Sequence, residues 1–456
     1  MARAARSAFV CQQCGHVAPR WLGQCPGCDA WNSLVEEVLP DAKGRAKDSP
    51  PAQGSGPRSL ASLTVGEAMR RSTGVGELDR VLGGGLVQGS IVLLGGDPGI
   101  GKSTLALQAC GALAGQGLPV LYVAGEESSE QVRLRADRLG LGAASILVLP
   151  ETTTEVVVGE IERVRPCAVV VDSIQTLHTT ALASAPGSVG QVRESAAQLV
   201  TRCKATQTAC FLIGHVTKEG SLAGPRVLEH LVDTVLYFEG DGAHTLRVLR
   251  AVKNRFGSTN EVGVFEMGER GLAEVPNPSA AFLAERPVSA PGSAVLATLE
   301  GSRPVLVEIQ ALVSRSALAM PRRTAIGLDP GRVALLLAVL EKRCRVRLYD
   351  QDVFLNVAGG LRVDEPAADL AVVAAVASSA CGKALPNDVV LWGEVGLTGE
   401  VRSVARADAR LREARRLGFE RCILPAGNAR GLPEADAAAA RGIATLGELF
   451  ETLGLA

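Results

Sequence analysis

Five short apolar runs recur between Leu60 and about Val275: Ser90–Gly95, Pro119–Ala124, Ala168–Asp172, Ala209–Gly214 and Thr234–Phe238. Each is apolar at consecutive positions rather than at alternate ones, and helix-length segments separate them. A strand covered on both faces reads as a continuous apolar run, whereas a strand with one wet face alternates. The pattern therefore predicts a mostly parallel sheet covered by helices on both sides. Thr245–Lys253 and Glu261–Met267 extend it as antiparallel strands joined through Arg255-Phe256-Gly257.

Outside this block the pattern changes. Residues 1–38 are compact and cysteine-rich. Residues 39–59 hold Pro, Gly, Ser, Ala and charge with almost no large apolar group, which predicts a flexible linker. Pro276 to Pro291 carries four prolines and reads as a second, shorter hinge. Beyond it, Ala294–Leu299 and Val305–Leu312 flank a Gly-Ser-Arg-Pro turn and predict a hairpin. Helices are expected over Ala334–Lys342, Ala367–Ala380 and Ala407–Leu417, with strands at Val353–Val357 and Val389–Trp392. The expected organisation is a module at 1–38, a linker at 39–59, an α/β domain at 60–275, a hinge at 276–291 and a second α/β domain at 292–456.

Composition narrows the class. Hydrophobic residues make up 47% and aromatic residues 3%, so Val, Leu, Ile and Ala must fill the cores. A net charge of −1 excludes a uniformly basic nucleic-acid binder, though not a basic channel built from several subunits. No apolar run reaches membrane-span length and no secretory leader is evident, so a cytoplasmic protein is expected, with no membrane partner.

Gly96-Asp97-Pro98-Gly99-Ile100-Gly101-Lys102-Ser103 matches a phosphate loop at every fixed position, with Thr104 opening the helical stretch that follows. Its glycines let backbone N–H groups curl around phosphates, Lys102 supplies a positive charge, and Ser103 offers a hydroxyl to Mg2+. The expected ligand is ATP. Asp172 closes the apolar run Val169–Asp172, at the carboxyl end of a buried strand, where parallel sheets place ligand groups. It is expected to share the Mg2+ with Ser103. Hydrolysis also needs a group that orients and deprotonates water. Glu126 is the candidate base with Glu127 in support, although a helix start favours carboxylates in any case.

Cys11-x-x-Cys14 and Cys25-x-x-Cys28 form two knuckles ten residues apart. Two tight turns with two thiolates each close a tetrahedral shell for Zn2+, and a segment this short needs such a staple to fold. The site is read as structural, a zinc ribbon, presenting Arg20, Trp21 and Trp31 to DNA or a partner.

Taken together, these motifs resemble the RadA (Sms) family of bacterial recombination ATPases, whose core is RecA-like. The likeness runs through GDPGIGKST at Gly96–Thr104, GEES at Gly125–Ser128, VDSIQT at Val171–Thr176, GHVTKEG at Gly214–Gly220 and Lys253-Asn254-Arg255-Phe256-Gly257. The resemblance implies a DNA-dependent ATPase and hexameric ring helicase. It would move on single-stranded and branched DNA and drive branch migration with the RecA recombinase in DNA repair and the response to damage. It also implies that Lys253 and Arg255 reach a neighbouring subunit's γ-phosphate or couple it to DNA. The resemblance further implies that His215 occupies a sensor position. Lys218 and Arg226 lie in a glycine-rich stretch, Thr217–Val227, expected to touch DNA phosphates, and Thr179–Gln191 is a second loop of that type, expected to be mobile.

The last domain resembles the proteolytic domain of Lon-type proteases. Where that family holds its catalytic Ser this chain has Ala367, and where it holds the Lys this chain has Asp408. A Ser–Lys mechanism needs both groups. A non-proteolytic scaffold is therefore expected, with Arg303, Arg322, Arg323 and Arg332 as candidates for a duplex-DNA surface. An ATP-dependent protease and a RecA-like regulatory switch without translocation remain the alternatives.

Overall fold

The computed structural model describes residues 7–11, 16–27, 29, 31–38, 70–142, 144–214, 226–240, 246–317, 320–433 and 438–455. Outside them lie Cys14, Cys28, the 39–59 linker, His215 and Lys218, together with the Arg226 side chain. The chain divides into two compact units, Met1–Glu274 and Val275–Ala456.

The first unit opens with a small antiparallel sheet of β1 (Ser7–Cys11), β2 (Val17–Ala18) and β3 (Leu34–Val38), with β1 in the middle. Cys11, Ala18, Cys25 and Leu34 form its buried centre. That centre is too small to hold the segment by hydrophobic burial alone. Trp21 and Trp31 stand exposed, with both rings beside Gly23.

A short ribbon of β4 (Arg70–Arg71) and β5 (Leu86–Val87) brackets helix α1 (Gly76–Leu82). The main sheet follows. Its parallel strands are β6 (Ile91–Gly96), β7 (Val120–Ala124), β8 (Ile146–Leu149), β9 (Ala168–Asp172), β10 (Ala209–Ile213) and β11 (Thr234–Glu239). Antiparallel strands β12 (Leu246–Asn254), β13 (Val262–Gly268) and β14 (Gly271–Glu274) extend one edge. The order is β14-β13-β12-β11-β6-β10-β9-β7-β8.

Side chains along each inner strand divide between two cores. Val92, Leu94, Tyr122, Val170 and Phe211 point into one, and Ile91, Leu93, Leu121, Val171 and Leu212 into the other. This period-two split over continuously apolar runs is why the strands are buried on both faces. Burial of each such side chain contributes about 1.5–3 kcal/mol. Helices α2 (Lys102–Gly115), α3 (Ser129–Arg138), α4 (Thr154–Val164) and α5 (Val189–Thr206) form the connections. Ser128 starts α3 with a reciprocal cap, its hydroxyl accepting from Gln131 N while its own N–H donates to Gln131 Oε1. A single turn, α6 (Arg226–Glu229), precedes β11.

The second unit holds a mixed sheet in the order β17-β18-β16-β15-β19-β22-β23. Its centre is the hairpin β15 (Ser293–Glu300) and β16 (Arg303–Arg315), flanked by β17 (Arg323–Ile326), β18 (Gln351–Val357) and β19 (Val389–Leu391). The short pair β20 (Glu394–Val395) and β21 (Val401–Arg402) stands apart, and β22 (Arg421–Pro425) and β23 (Ala440–Ile443) close the far edge. The stretch expected as a bare hinge differs from that reading. Asn277 caps α7 (Pro278–Leu283), Phe282 is buried, and Ser279 Oγ accepts from Leu306 N at 3.0 Å. Pro278 sits at the first helical position, where a proline costs no hydrogen bond, so part of that proline signal is a helix start. Helix α8 (Pro330–Cys344) lies against α9 (Asp369–Cys381), which is buried on the hairpin beside α10 (Ala407–Arg416). Trp392 is the largest fully buried side chain.

Candidate nucleotide site

The phosphate loop joins β6, an interior strand, to the first turn of α2. Gly99 (φ 78°) and Gly101 (φ 118°) occupy backbone conformations that side-chain-bearing residues rarely adopt. A Cβ on Gly101 would lie 2.8 Å from Met267 Cε. Lys102 is buried, and its ammonium donates to the carbonyls of Gly96 and Asp97, each at 2.8 Å. Burial lowers its pKa below the usual lysine range, and the charges of Asp172, Asp97 and Glu126 oppose that shift. Ser103 follows on α2, half-buried.

Parallel pairing gathers the remaining candidates at the same end of the sheet. Strands β7 and β9 are neighbours with Ala124 opposite Asp172, so the Glu126-Glu127 pair emerges beside the aspartate. The two strand ends are joined by Gly125 N–H, which donates to Asp172 O at 2.7 Å. A side chain at 125 would meet Thr176 Oγ1 at 2.0 Å, which is why that position is a glycine. Ser173 Oγ donates to Glu126, and Glu127 is paired with Arg135 of α3. Asp172 Oδ2 accepts from Tyr122 Oη at 2.5 Å, with Arg135 Nη1 3.7 Å away. Burial and the neighbouring aspartate hold the Tyr122 phenol well above its ordinary pKa, so it donates. Asp172 Oδ1 makes no hydrogen bond among the described residues. A carboxylate oxygen and the Ser103 hydroxyl are the hard donors that Mg2+ takes, with water completing its shell, so the residues fit that ion.

Sequence reasoning missed Tyr122 and Arg135. Tyr122 reads as one more core residue of an apolar run, and Arg135 lies on an exposed helix. The register of β7 on β9 brings Tyr122 to Asp172, and the placement of α3 brings Arg135 there.

Lys253 and Arg255 are placed differently. Lys253 Nζ donates to the carbonyls of Glu229 at 2.5 Å and Val232 at 2.8 Å. Arg255 pairs with Asp233, which also accepts from Ile91 N–H and pairs with Lys204. Ile91 begins β6 and Gly96 ends it. Within one chain, therefore, both residues lie at the opposite end of the sheet from the phosphate loop. The loop at Thr179–Gln191, expected to be mobile, is instead organised around one buried amide. Gln191 Nε2 donates to the carbonyls of Thr179, Leu182 and Ser184, and Oε1 accepts from Thr179 N–H.

In the small N-terminal module Cys11 and Cys25 are buried, and Gly27 N–H points at Cys25 Sγ at 3.3 Å, as amides do toward a metal-bound thiolate. Together with Cys14 and Cys28 they can supply the four soft donors that Zn2+ requires.

In the second unit Ala367 is buried in the turn before α9, and its carbonyl accepts from Gly393 N–H at 2.9 Å. Asp408 faces outward, paired with Arg412 at 2.8 Å. Nearby, Arg410 is fully buried and paired with Glu365, and Arg332 is paired with buried Asp369, the two pairs standing beside a cleft of about 220 Å³. The duplex-DNA candidates are mostly engaged inside this unit. Arg323 donates to the carbonyls of Gln351 and Leu348, Arg303 to that of Pro276, and Arg332 to Asp369.

Residues 72–221 match the family model of an AAA domain, residues 9–36 that of a rubredoxin metal-binding domain, and residues 341–445 that of the Lon protease (S16) C-terminal proteolytic domain. No helix among the described residues is long and apolar enough to cross a membrane. The chain is 56% identical to the DNA repair protein RadA of Pseudomonas aeruginosa over 430 residues, 94% of each protein. It is 53% identical to that of Bacillus subtilis over 451 residues, 98% of each, and 52% to that of Brucella abortus over 442. With this identity sustained from the cysteine module to the Lon-like unit, the chain belongs to the RadA family of DNA repair proteins.

Proposed function

We propose that the chain is a DNA-dependent ATPase that works as a hexameric ring helicase, moving recombination junctions by branch migration alongside the RecA recombinase. The observation that carries this reading is the meeting of the phosphate loop, Asp172 and the Glu126-Glu127 pair at one end of the sheet, in a chain of a DNA repair family. The backbone of Gly96–Thr104 cradles the ATP phosphates, and Lys102 turns from its loop carbonyls toward the β- and γ-oxygens. Ser103 and Asp172 hold a hydrated Mg2+, which neutralises phosphate charge. Glu126 orients and deprotonates the attacking water, while Glu127, fixed by Arg135, supports it. Lys253 and Arg255, remote from their own loop, serve the site of a neighbouring subunit, so turnover depends on assembly. The Thr217–Val227 stretch and the Thr179–Gln191 loop contact single-stranded DNA through its phosphates, without reading sequence. Four cysteines hold a structural Zn2+.

The second unit is read as a scaffold and not a protease, because Ala367 and Asp408 offer neither nucleophile nor amine. ATP hydrolysis stimulated by single-stranded DNA and abolished by Lys102→Ala is the expected result. Hydrolysis at one rate with and without DNA, with no DNA retained in ATP, would overturn it. Strand displacement on forked DNA separates a motor from a regulatory switch, and ATP-dependent casein cleavage would instead support a protease.

A further inference from the structure

The sequence Val120–Ala124 requires only an apolar strand, and Tyr122 is the one residue in it that carries a polar atom. Its side chain is 1% exposed and lies in the core with Val170, Phe211 and Ala124. A hydroxyl buried so deeply is costly unless it is bonded. The one partner the structure gives it is Asp172 Oδ2, at 2.5 Å across neighbouring strands. A phenol differs from the alternatives that could bond a buried carboxylate. A lysine or arginine there would cancel the charge that attracts a cation. A neutral donor fixes one oxygen and leaves the charge in place. Arg135 pairs with Glu127 through Nη2, and its Nη1 stands 3.7 Å from the same Asp172 oxygen, a loose ion pair with no hydrogen bond, so the phenol is the group that bonds the carboxylate.

We propose that Tyr122 is a positioning residue for the metal: its hydroxyl holds Asp172 Oδ2, turning Oδ1 toward a hydrated divalent cation at the phosphate loop. Arg135 acts with it, tying the orientation of that carboxylate to the Glu127 side of the site. The inference rests on the nucleotide reading given above and assigns a residue that no motif of the site contains.

The test uses the full chain with Mn2+ as the probe, followed by electron paramagnetic resonance in the presence of a non-hydrolysable ATP analogue. Binding of a fluorescent ATP analogue without metal is measured in parallel. Tyr122→Phe keeps the ring and removes the hydroxyl. It is expected to weaken Mn2+ about tenfold, the lower range for a hydrogen bond to a charged group. Metal-free nucleotide binding should stay within twofold. In an Asp172→Asn background the same change should add nothing, since the bonded carboxylate is gone. Val170→Ala, a core truncation beside Tyr122 on the next strand, should leave the Mn2+ constant alone. Unchanged Mn2+ affinity in Tyr122→Phe, or an equal loss in Val170→Ala, overturns the proposal. Absence of nucleotide binding in the unaltered chain would instead overturn the reading of the site itself.

Discussion

Arg255 Nη1 lies 3.2 Å from Asp233 Oδ1 at the amino end of β6, whereas the phosphate loop begins at that strand's carboxyl end. A strand of this length spans about 17–20 Å, which is too far for Arg255 to reach its own chain's nucleotide. Its guanidinium is half exposed and available to a neighbour. The expected outcome of Arg255→Ala is a modest loss of stability, because buried Asp233 keeps Lys204 and the Ile91 N–H as partners. Nucleotide binding should persist while turnover falls by a factor on the order of 10³. Mixing Arg255→Ala chains with Lys102→Ala chains should restore part of the hydrolysis, because some interfaces then combine an intact arginine with an intact loop. Full turnover by Arg255→Ala alone would refute the trans role.

Gln191 supplies a second prediction. Its amide makes four hydrogen bonds to the Thr179–Ser184 backbone, and Gln191→Ala leaves those groups unpaired. The loop should loosen at a cost of about 1–3 kcal/mol. Stimulation of hydrolysis by single-stranded DNA should fall severalfold while the DNA-free rate is kept. Equal loss of both rates would show that the loop supports the fold and not DNA coupling.

Thiol chemistry tests the metal module. Burial pushes the Cys110 and Cys422 thiols up to about 12, so both stay protonated and shielded at pH 8. Cys381 is exposed and should be the fast-reacting native thiol. Chelation should release one zinc per chain and add four reactive thiols, those of Cys11, Cys14, Cys25 and Cys28. A thiol titre that does not rise on chelation would remove the metal from the account.

Restoring the residues of a Ser–Lys pair should not make a protease. Ala367→Ser would place a hydroxyl at a position that is 1% exposed, and a lysine replacing Asp408 would stand on the outward side of α10 beside Arg412. The double variant is expected to leave casein intact with and without ATP. Cleavage would show that the cleft beside Asp369 retains a working geometry.

The doubly buried strands were legible because each is apolar at consecutive positions, a signal that survives without any knowledge of neighbours. The edge strand β8 was not among the clear runs, since Ile146–Leu149 is only half covered. Helix α7 was hidden because its one proline, Pro278, signals a hinge and a helix start alike. At the site, the loop and Asp172 could be read from local pattern. The bond from Tyr122 to Asp172 could not, as it spans fifty residues and exists only through strand register. The distance of Lys253 and Arg255 from their own phosphate loop likewise follows from strand direction, which a motif does not encode.

The three tryptophans fall in separate surroundings, two exposed beside Gly23 and one sealed within the second unit, with none in the nucleotide-binding core. The chain thereby carries two distinguishable fluorophore populations. Trp21 and Trp31 should emit toward the red and yield to a soluble quencher, and Trp392 should emit toward the blue and resist it. Loss of the metal module and unfolding of the Lon-like unit can thus be followed as separate optical events in one unlabelled sample, against a tryptophan-free ATPase core.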